Sequence, residues 1–491
     1  MDLLPAVSAL ADAHRAATDD EHKSTWGQFF TPGDIAAFMA GWIDAAPDRD
    51  VTVLDAGAGT GILGIAAALA LFSSGARSVH LVAVEAEAGA REGLARSLTL
   101  LQGRFGSRLR ITIRGEDFLD LHQPRLGVEP LPKVDVAIGN PPYFKMSPTE
   151  QRGGDAPNVY ARFMEVATDH LRPGGQLIYI VPRSFTSGLY YKRFRRMLHE
   201  KLSLERVHVF DSRREAFSED EVLQENIIGA WRKGPAGVTV RMSASTGAGD
   251  LDEARVYEAP RALVFPPGDP QGAVFLPTSR QDAAILQTVR SWPGRLNDYE
   301  LEVSTGPVVA FRTDKLLSAE SSASVPMLWM QHVRANGVTW PLGSRFRKAE
   351  HIRSDAGEKL LVPNRTYILM RRFSPKEEAR RLTITVLEGG SLPGGWLGLE
   401  NHLNFIHRPG GHLPSALAWG LAAVLASSLI DDYFRILSGN TQVSATEIRG
   451  LPLPSLPTLN ALGEAVLQVG GEVLGRQAEL DQLVAGALLP S

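Results

Sequence analysis

The run Val51-Thr52-Val53-Leu54-Asp55-Ala56-Gly57-Ala58-Gly59-Thr60-Gly61 decides the fold. Its apolar, β-branched start reads as a buried strand. The glycines then turn the chain sharply and let its backbone come close to a ligand. Ile62, Leu63, Ile65, Ala66, Leu69 and Phe72 follow at once with helical spacing. A second strand, Val79-His80-Leu81-Val82-Ala83-Val84, ends in Glu85. That carboxylate lies about 25 residues beyond the turn, where dinucleotide folds place an acceptor for ribose hydroxyls. Alone, the glycine pattern also fits a tight turn or a nucleotide site of another kind.

Working outward, residues 1 to about 240 alternate strand and helix. Strands are expected at 51–55, 79–85, 109–113, 134–138, 176–182 and 206–210, with a closing pair near 226–231 and 238–243. Helices are expected at 33–45, 61–74, 87–101, 158–171 and 189–201. Such alternation predicts an α/β fold, a mostly parallel sheet covered on both faces, with ligands at the carboxyl ends of its strands. Gly115-Glu116-Asp117-Phe118 follows the third strand. Asp117 there suits a hydrogen bond to an adenine amino group, with Phe118 against the ring; by itself it also reads as an ordinary acidic turn. Gly27-Gln28-Phe29-Phe30-Thr31-Pro32 precedes the first helix. Thr-Pro opening a helix offers an N-cap hydroxyl and free N–H groups to a carboxylate, or simply caps the helix.

At the end of Val134-Asp135-Val136-Ala137-Ile138-Gly139 stands Asn140-Pro141-Pro142-Tyr143. This tetrapeptide suits an exocyclic amino group. The Asn140 side-chain oxygen accepts one N–H, a carbonyl held by proline accepts another, and the Tyr143 ring offers a stacking face.

In this order the motifs resemble those of the gamma-class adenine-N6 DNA methyltransferases of type II restriction-modification systems, the PstI/BsuBI kind. The resemblance extends through Phe217-Ser218-Glu219-Asp220-Glu221-Val222-Leu223-Gln224-Glu225-Asn226-Ile227-Ile228 and Ser438-Gly439-Asn440-Thr441-Gln442-Val443-Ser444-Ala445-Thr446-Glu447, and so covers nearly the whole chain. It implies a Rossmann-like S-adenosylmethionine-dependent methyltransferase sheet over residues 1–240. Residues 241–491 are then a mixed α+β DNA target-recognition domain. S-adenosylmethionine is the implied cofactor, held by Phe30, Thr31, Pro32, Asp55, Gly57, Gly59, Gly61, Glu85, Asp117 and Phe118. Asn140, Pro141, Pro142 and Tyr143 are implied as catalytic, with Phe217 packing edge-on against an adenine flipped out of double-stranded DNA. For Phe217, core packing is the competing reading.

Composition agrees with two ordinary globular units: 491 residues, 44% apolar and 22% charged. With no cysteine, disulfides and thiolate zinc sites are excluded, and a reducing bacterial cytoplasm fits. Met1-Asp2-Leu3-Leu4-Pro5 lacks the positive start of a secretory leader. The apolar run Ala416 to Ile430 is short of the roughly 20 residues that span a bilayer, so a buried helix is expected and no membrane. Net charge is −4, yet Gln331 to Arg381 holds twelve Lys or Arg against five Asp or Glu, a local +7 that leaves −11 elsewhere. Arginines interleaved with Trp340, Phe346, Tyr367 and Phe373 suit a duplex-reading surface. Arg345, Arg347, Lys348, Arg371, Arg372, Asn440 and Gln442 are the expected DNA contacts. No nuclease pattern is evident, so the expected partner is a separate restriction endonuclease and the enzyme itself a monomer. An amino-methyltransferase of RNA or protein, or of N4 of cytosine, shares much of the motif set.

Overall fold

A nine-stranded sheet organises the first part of the chain. Its strands are β1 (Asp50–Ala56), β2 (Ser78–Val84), β3 (Leu109–Arg114), β4 (Val134–Gly139), β5 (Leu171–Pro182), β6 (Ser203–Phe210), β7 (Asn226–Arg232), β8 (Thr239–Ser245) and β9 (Arg255–Pro260). They lie in the order β3-β2-β1-β4-β5-β7-β6-β8-β9. The first five are mutually parallel. β7 runs antiparallel between β5 and β6, and β9 antiparallel to β8 at the edge. This is the Rossmann-like sheet expected from the sequence. The computed structural model describes residues 3–17, 31–121, 129–144, 146, 156–211, 225–318, 322–343, 346–373, 380–437 and 443–488.

Helices cover both faces, as nearly continuous apolar strands require. On one face lie α1 (Leu4–Ala17), α2 (Gly33–Ala40), α3 (Ile62–Ser73) and α4 (Ala88–Phe105), which bury Val7, Ile35, Met39, Ile65, Leu94 and Leu98 against Val53, Leu81 and Ile138. On the other face lie α5 (Val159–His170) and α6 (Lys192–Lys201), which pack Met164, Val166, Phe194 and Leu198 against Leu54, Leu177 and Val207.

The chain forms two compact units, Met1–Arg280 and Gln281–Ser491, so the first extends beyond the expected boundary at 240. Two physical causes hold residues 241–280 in it. β8 and β9 hydrogen-bond into the same sheet. Arg195 of α6, wholly buried, donates to the carbonyls of Gln271 and Gly272 and so ties the later loop down.

The second unit carries an antiparallel four-stranded sheet in the order Glu302–Thr305, Leu403–His407, Tyr367–Arg371, Ile384–Leu387. A five-stranded mixed sheet accompanies it. The buried helix expected for the apolar run Ala416 to Ile430 is broken into Ser415–Ala426 and Ser428–Leu437, bent by 56°. Helix Leu456–Val469 ends at Gly470, whose φ is +93°. Helices Ser415–Ala426 and Leu456–Val469 touch backbone to backbone: a Cβ on Gly420 would fall 1.8 Å from the Leu459 carbonyl oxygen. Among the described residues no single helix is long and apolar enough to cross a membrane.

Candidate active site

Strand order reverses at β1: β2 and β3 lie to one side, β4 and β5 to the other. Open α/β sheets bind ligands in the crevice at the carboxyl ends of such neighbours. Asp55, near the end of β1, is in register with Ile138 near the end of β4. The glycine turn and Asn140-Pro141-Pro142-Tyr143 therefore leave the sheet side by side at one edge.

The glycine turn is built almost wholly from backbone hydrogen bonds. The N–H groups of Gly57 and Ala58 donate to the Val84 carbonyl at 2.9 and 3.0 Å. Gly59 N–H donates to Glu85 Oε2 at 2.7 Å, and Glu87 N–H to Oε1 at 2.9 Å. Gly57, Gly59 and Gly61 have φ of +71°, +55° and +94°, conformations that side chains rarely adopt. Gly64, unremarked in the sequence, is a fourth necessary glycine. Its N–H donates to Asp55 Oδ2 at 2.8 Å, and a Cβ there would fall 2.9 Å from that oxygen and 3.0 Å from Leu81 Cδ1.

Burial lifts the Asp55 carboxyl to about 7; the Gly64 N–H opposes the rise, and the neighbouring Glu85 charge adds to it. Burial also raises Glu85, against the N–H donors of Glu87 and Gly59. Asp55 Oδ1, Thr60 Oγ1 and the Tyr179 hydroxyl are buried without a hydrogen-bond partner. Buried polar atoms are seldom left so unless a ligand or water completes them. Carboxylates and two unpaired hydroxyls around an open-backbone turn fit a polar, positively charged nucleoside such as S-adenosylmethionine.

The other corner is held by side chains. Asn140 Nδ2 donates to Thr31 Oγ1 at 3.1 Å. The Tyr143 hydroxyl lies 2.5 Å from Asn140 Oδ1 and 3.2 Å from the Ile180 carbonyl, with one hydrogen to give to either. Burial holds that hydroxyl un-ionised, far above its ordinary pKa. The Tyr143 ring meets Tyr160 edge-on, centroids 6.2 Å apart. Gly139 leaves room for the Tyr179 ring, which a Cβ would approach to 3.0 Å.

Other expected residues are placed differently. Thr31 does not cap α2: Pro32 stands at its N-cap with no side-chain cap, and the Thr31 hydroxyl faces Asn140 instead. Phe118 is 2% exposed and packs against Phe163, centroids 5.0 Å apart, so its ring belongs to the core. Asp117 is exposed, and its Oδ1 accepts the Leu119 N–H at 2.8 Å. Phe30, Phe217, Arg345, Asn440 and Gln442 lie outside the described residues. Asn226, opposite Pro182 at the carboxyl edge of β5, buries a carboxamide with neither atom paired.

In the second unit the basic cluster is partly consumed by the fold. Arg381 is buried, Arg380 donates to the Leu474 carbonyl, Arg365 to that of Gly411, and Arg353 pairs with Asp355. Arg347 is exposed. Lys348 Nζ sits 4.4 Å from the Trp329 ring centroid. Arg371 Nε donates to the Val333 carbonyl at 2.8 Å and Arg372 Nη1 to that of Asn401 at 3.2 Å. Val443 N–H donates to the Arg372 carbonyl at 2.8 Å, which brings Val443, within the second matching stretch, beside the arginine pair.

Residues 115–217 match the family model of the Eco57I restriction-modification methylase. Over 473 residues the chain is 33% identical to the type II methyltransferase M.PstI of Providencia stuartii, covering 94% of this chain and 93% of that one. Over 483 residues it is 33% identical to the type II methyltransferase M.BsuBI of Bacillus subtilis, covering 96% and 95%. Among solved structures, the DrdV–DNA complex seen by cryo-electron microscopy aligns with 95% of this chain and 59% of its own at 15% identity. Its TM-score of 0.48 is too loose to bear on function.

Proposed function

We propose, because this chain belongs to the type II restriction-modification methyltransferases of the PstI/BsuBI kind, that it methylates N6 of an adenine extruded from duplex DNA. The modification protects the site from a separate cognate restriction endonuclease. One observation carries the reading: a carboxamide built to accept an amine, Asn140, leaves the sheet beside the glycine turn after Asp55.

S-adenosylmethionine, when bound, supplies an electrophilic methyl group. Asp55, Gly57, Gly59, Gly61, Glu85 and Asp117 would hold it. Asn140 Oδ1 and the Pro141 carbonyl accept the two hydrogens of the target amine, which raises electron density on that nitrogen. No residue needs to remove a proton first, because the amine sheds one once it carries positive charge. An adenine stacked in a duplex cannot reach the crevice, so extrusion precedes transfer, and the Tyr143 ring receives the base. The second unit reads the DNA through Arg347, Lys348, Arg371 and Arg372.

Incubating the protein with tritiated S-adenosylmethionine and duplex DNA, RNA or protein tests this, followed by nucleoside analysis of the labelled product. Label as N6-methyladenine in duplex DNA, lost in Asn140→Ala, is the expected result. Label in N4-methylcytosine, RNA or protein overturns it.

A further inference from the structure

We propose that the loop from Trp340 to Glu350 is a preformed reading element for duplex DNA, and that Glu350, an acid on a basic surface, is the positioning residue that holds it. This deepens the DNA contact assigned above to Arg347 and Lys348 and rests on that reading. From Ser321 to Ala349 the sequence carries Arg334, Arg345, Arg347 and Lys348 and no acid. Glu350 ends that stretch, and its side chain is only 12% exposed. Its Oε1 accepts the Leu342 N–H at 2.6 Å and faces His332 Nε2 at 2.7 Å. Its Oε2 accepts the Gly343 N–H at 3.3 Å. The acid thus ties the last residue of the loop back to its start.

His332 is the fixed end of this clip. It is wholly buried, and the Trp329 N–H donates to its Nδ1 at 2.8 Å, which leaves Nε2 to carry the hydrogen given to Glu350. Burial keeps the ring below its ordinary pKa, against the pull of the Glu350 charge. Trp340 Nε1 donates to the Glu350 carbonyl at 3.0 Å, and Trp329 Nε1 to that of Ala349 at 2.8 Å. The Phe346 ring meets His332 edge-on, centroids 5.2 Å apart. Next in the chain, Arg347 and Lys348 are exposed. Inward aromatic rings and one carboxylate therefore fix a backbone that carries two adjacent cations on its outside. Ordering such a loop on DNA costs little conformational entropy, and a fixed backbone lets a guanidinium discriminate among base edges.

Simple charge and positioning give opposite signs for Glu350→Gln. Removing a negative charge from a basic surface strengthens its hold on any phosphate backbone, whereas loosening the loop weakens the hold on a preferred sequence. The full-length proteins are compared by fluorescence anisotropy on two probes: a duplex enriched from a random pool by binding to wild type, and the unselected pool. For Glu350→Gln the expected affinity is about 5- to 100-fold lower for the enriched duplex and equal or higher for the pool. Arg347→Gln loses the same preference, and combining the two substitutions adds little, because both disable one device. Tighter binding of both probes, an unchanged ratio between them, or losses that multiply in the double variant overturn the proposal. So does a preference that survives Arg347→Gln. Amide exchange reads the clip itself: the Leu342 and Gly343 N–H groups exchange about 10- to 100-fold faster in Glu350→Gln but not in Arg347→Gln. Equal protection in all three proteins refutes it. Neither measurement needs catalysis. A protein that transfers no methyl group to DNA refutes the reaction above without touching the loop, and a pool from which wild type enriches nothing refutes the loop even where DNA is methylated.

Discussion

Asp55→Asn offers a test of the buried acid beneath the glycine turn. The Asp55 carboxyl is 1% exposed, and burial lifts it from an ordinary 3.8 to about 7. Between those values the folded protein retains a proton that the unfolded chain has released, so this group makes stability fall as pH rises, levelling off above about 7. At about 1.4 kcal/mol per pKa unit, the loss between pH 5 and pH 8 is about 2–3 kcal/mol. Asparagine keeps an oxygen for the Gly64 N–H but carries no such proton. Whatever constant cost the substitution brings, stability of Asp55→Asn relative to wild type should thus rise by that amount from pH 5 to pH 8. Hydrogen exchange followed peptide by peptide across β1–β4 reads the opening free energy of this unit directly. A difference between the two proteins that does not change with pH would falsify the assignment of a protonated, buried Asp55. The same chemistry sets ligand binding. A cationic cofactor favours ionised carboxylates, so S-adenosylmethionine should bind wild type more tightly at pH 8 than at pH 6, with part of that dependence lost in Asp55→Asn.

Gly64→Ala places a methyl 2.9 Å from Asp55 Oδ2 and should cost about 1–3 kcal/mol of stability. Thermal unfolding checks it; an unshifted midpoint would show that the turn has slack. The double substitution Arg371→Ala, Arg372→Ala should raise the duplex Kd and reduce the slope of log affinity against log salt by about 0.9 for each phosphate the protein no longer neutralises. Anisotropy titrations across a salt series measure both, and an unchanged slope would make the pair ordinary surface. Tyr143→Ala should weaken the hold on an extruded base by about 1–3 kcal/mol. The signal from 2-aminopurine at the target position reports this, and the same fluorescence in both proteins would remove the ring from base binding.

The sheet was legible because its signals are local. Glycines at three positive-φ positions directly follow an apolar strand, and neither needs a distant partner to be recognised. What the sequence hides is set by distant partners. Thr31 next to Pro32 reads as a helix cap, yet its hydroxyl is captured by Asn140, more than a hundred residues further along the chain. Phe118 reads as a ligand contact after Asp117, but Phe163 supplies an aromatic neighbour and the core takes it. Charge is the clearest instance. Counting cations from Gln331 to Arg381 gives a local excess, but a guanidinium's donors can be taken up by carbonyls that no residue tally contains. Arg380 is satisfied that way, and Arg195 is buried that way in the first unit, where it carries that unit past the boundary expected at 240. A basic stretch therefore becomes a DNA-reading surface only through the cations that folding does not recruit. Within this chain Arg347 and Lys348 stay exposed, the Lys348 ammonium over the Trp329 ring, whereas Arg380 and Arg381 at the end of the run are drawn into the fold.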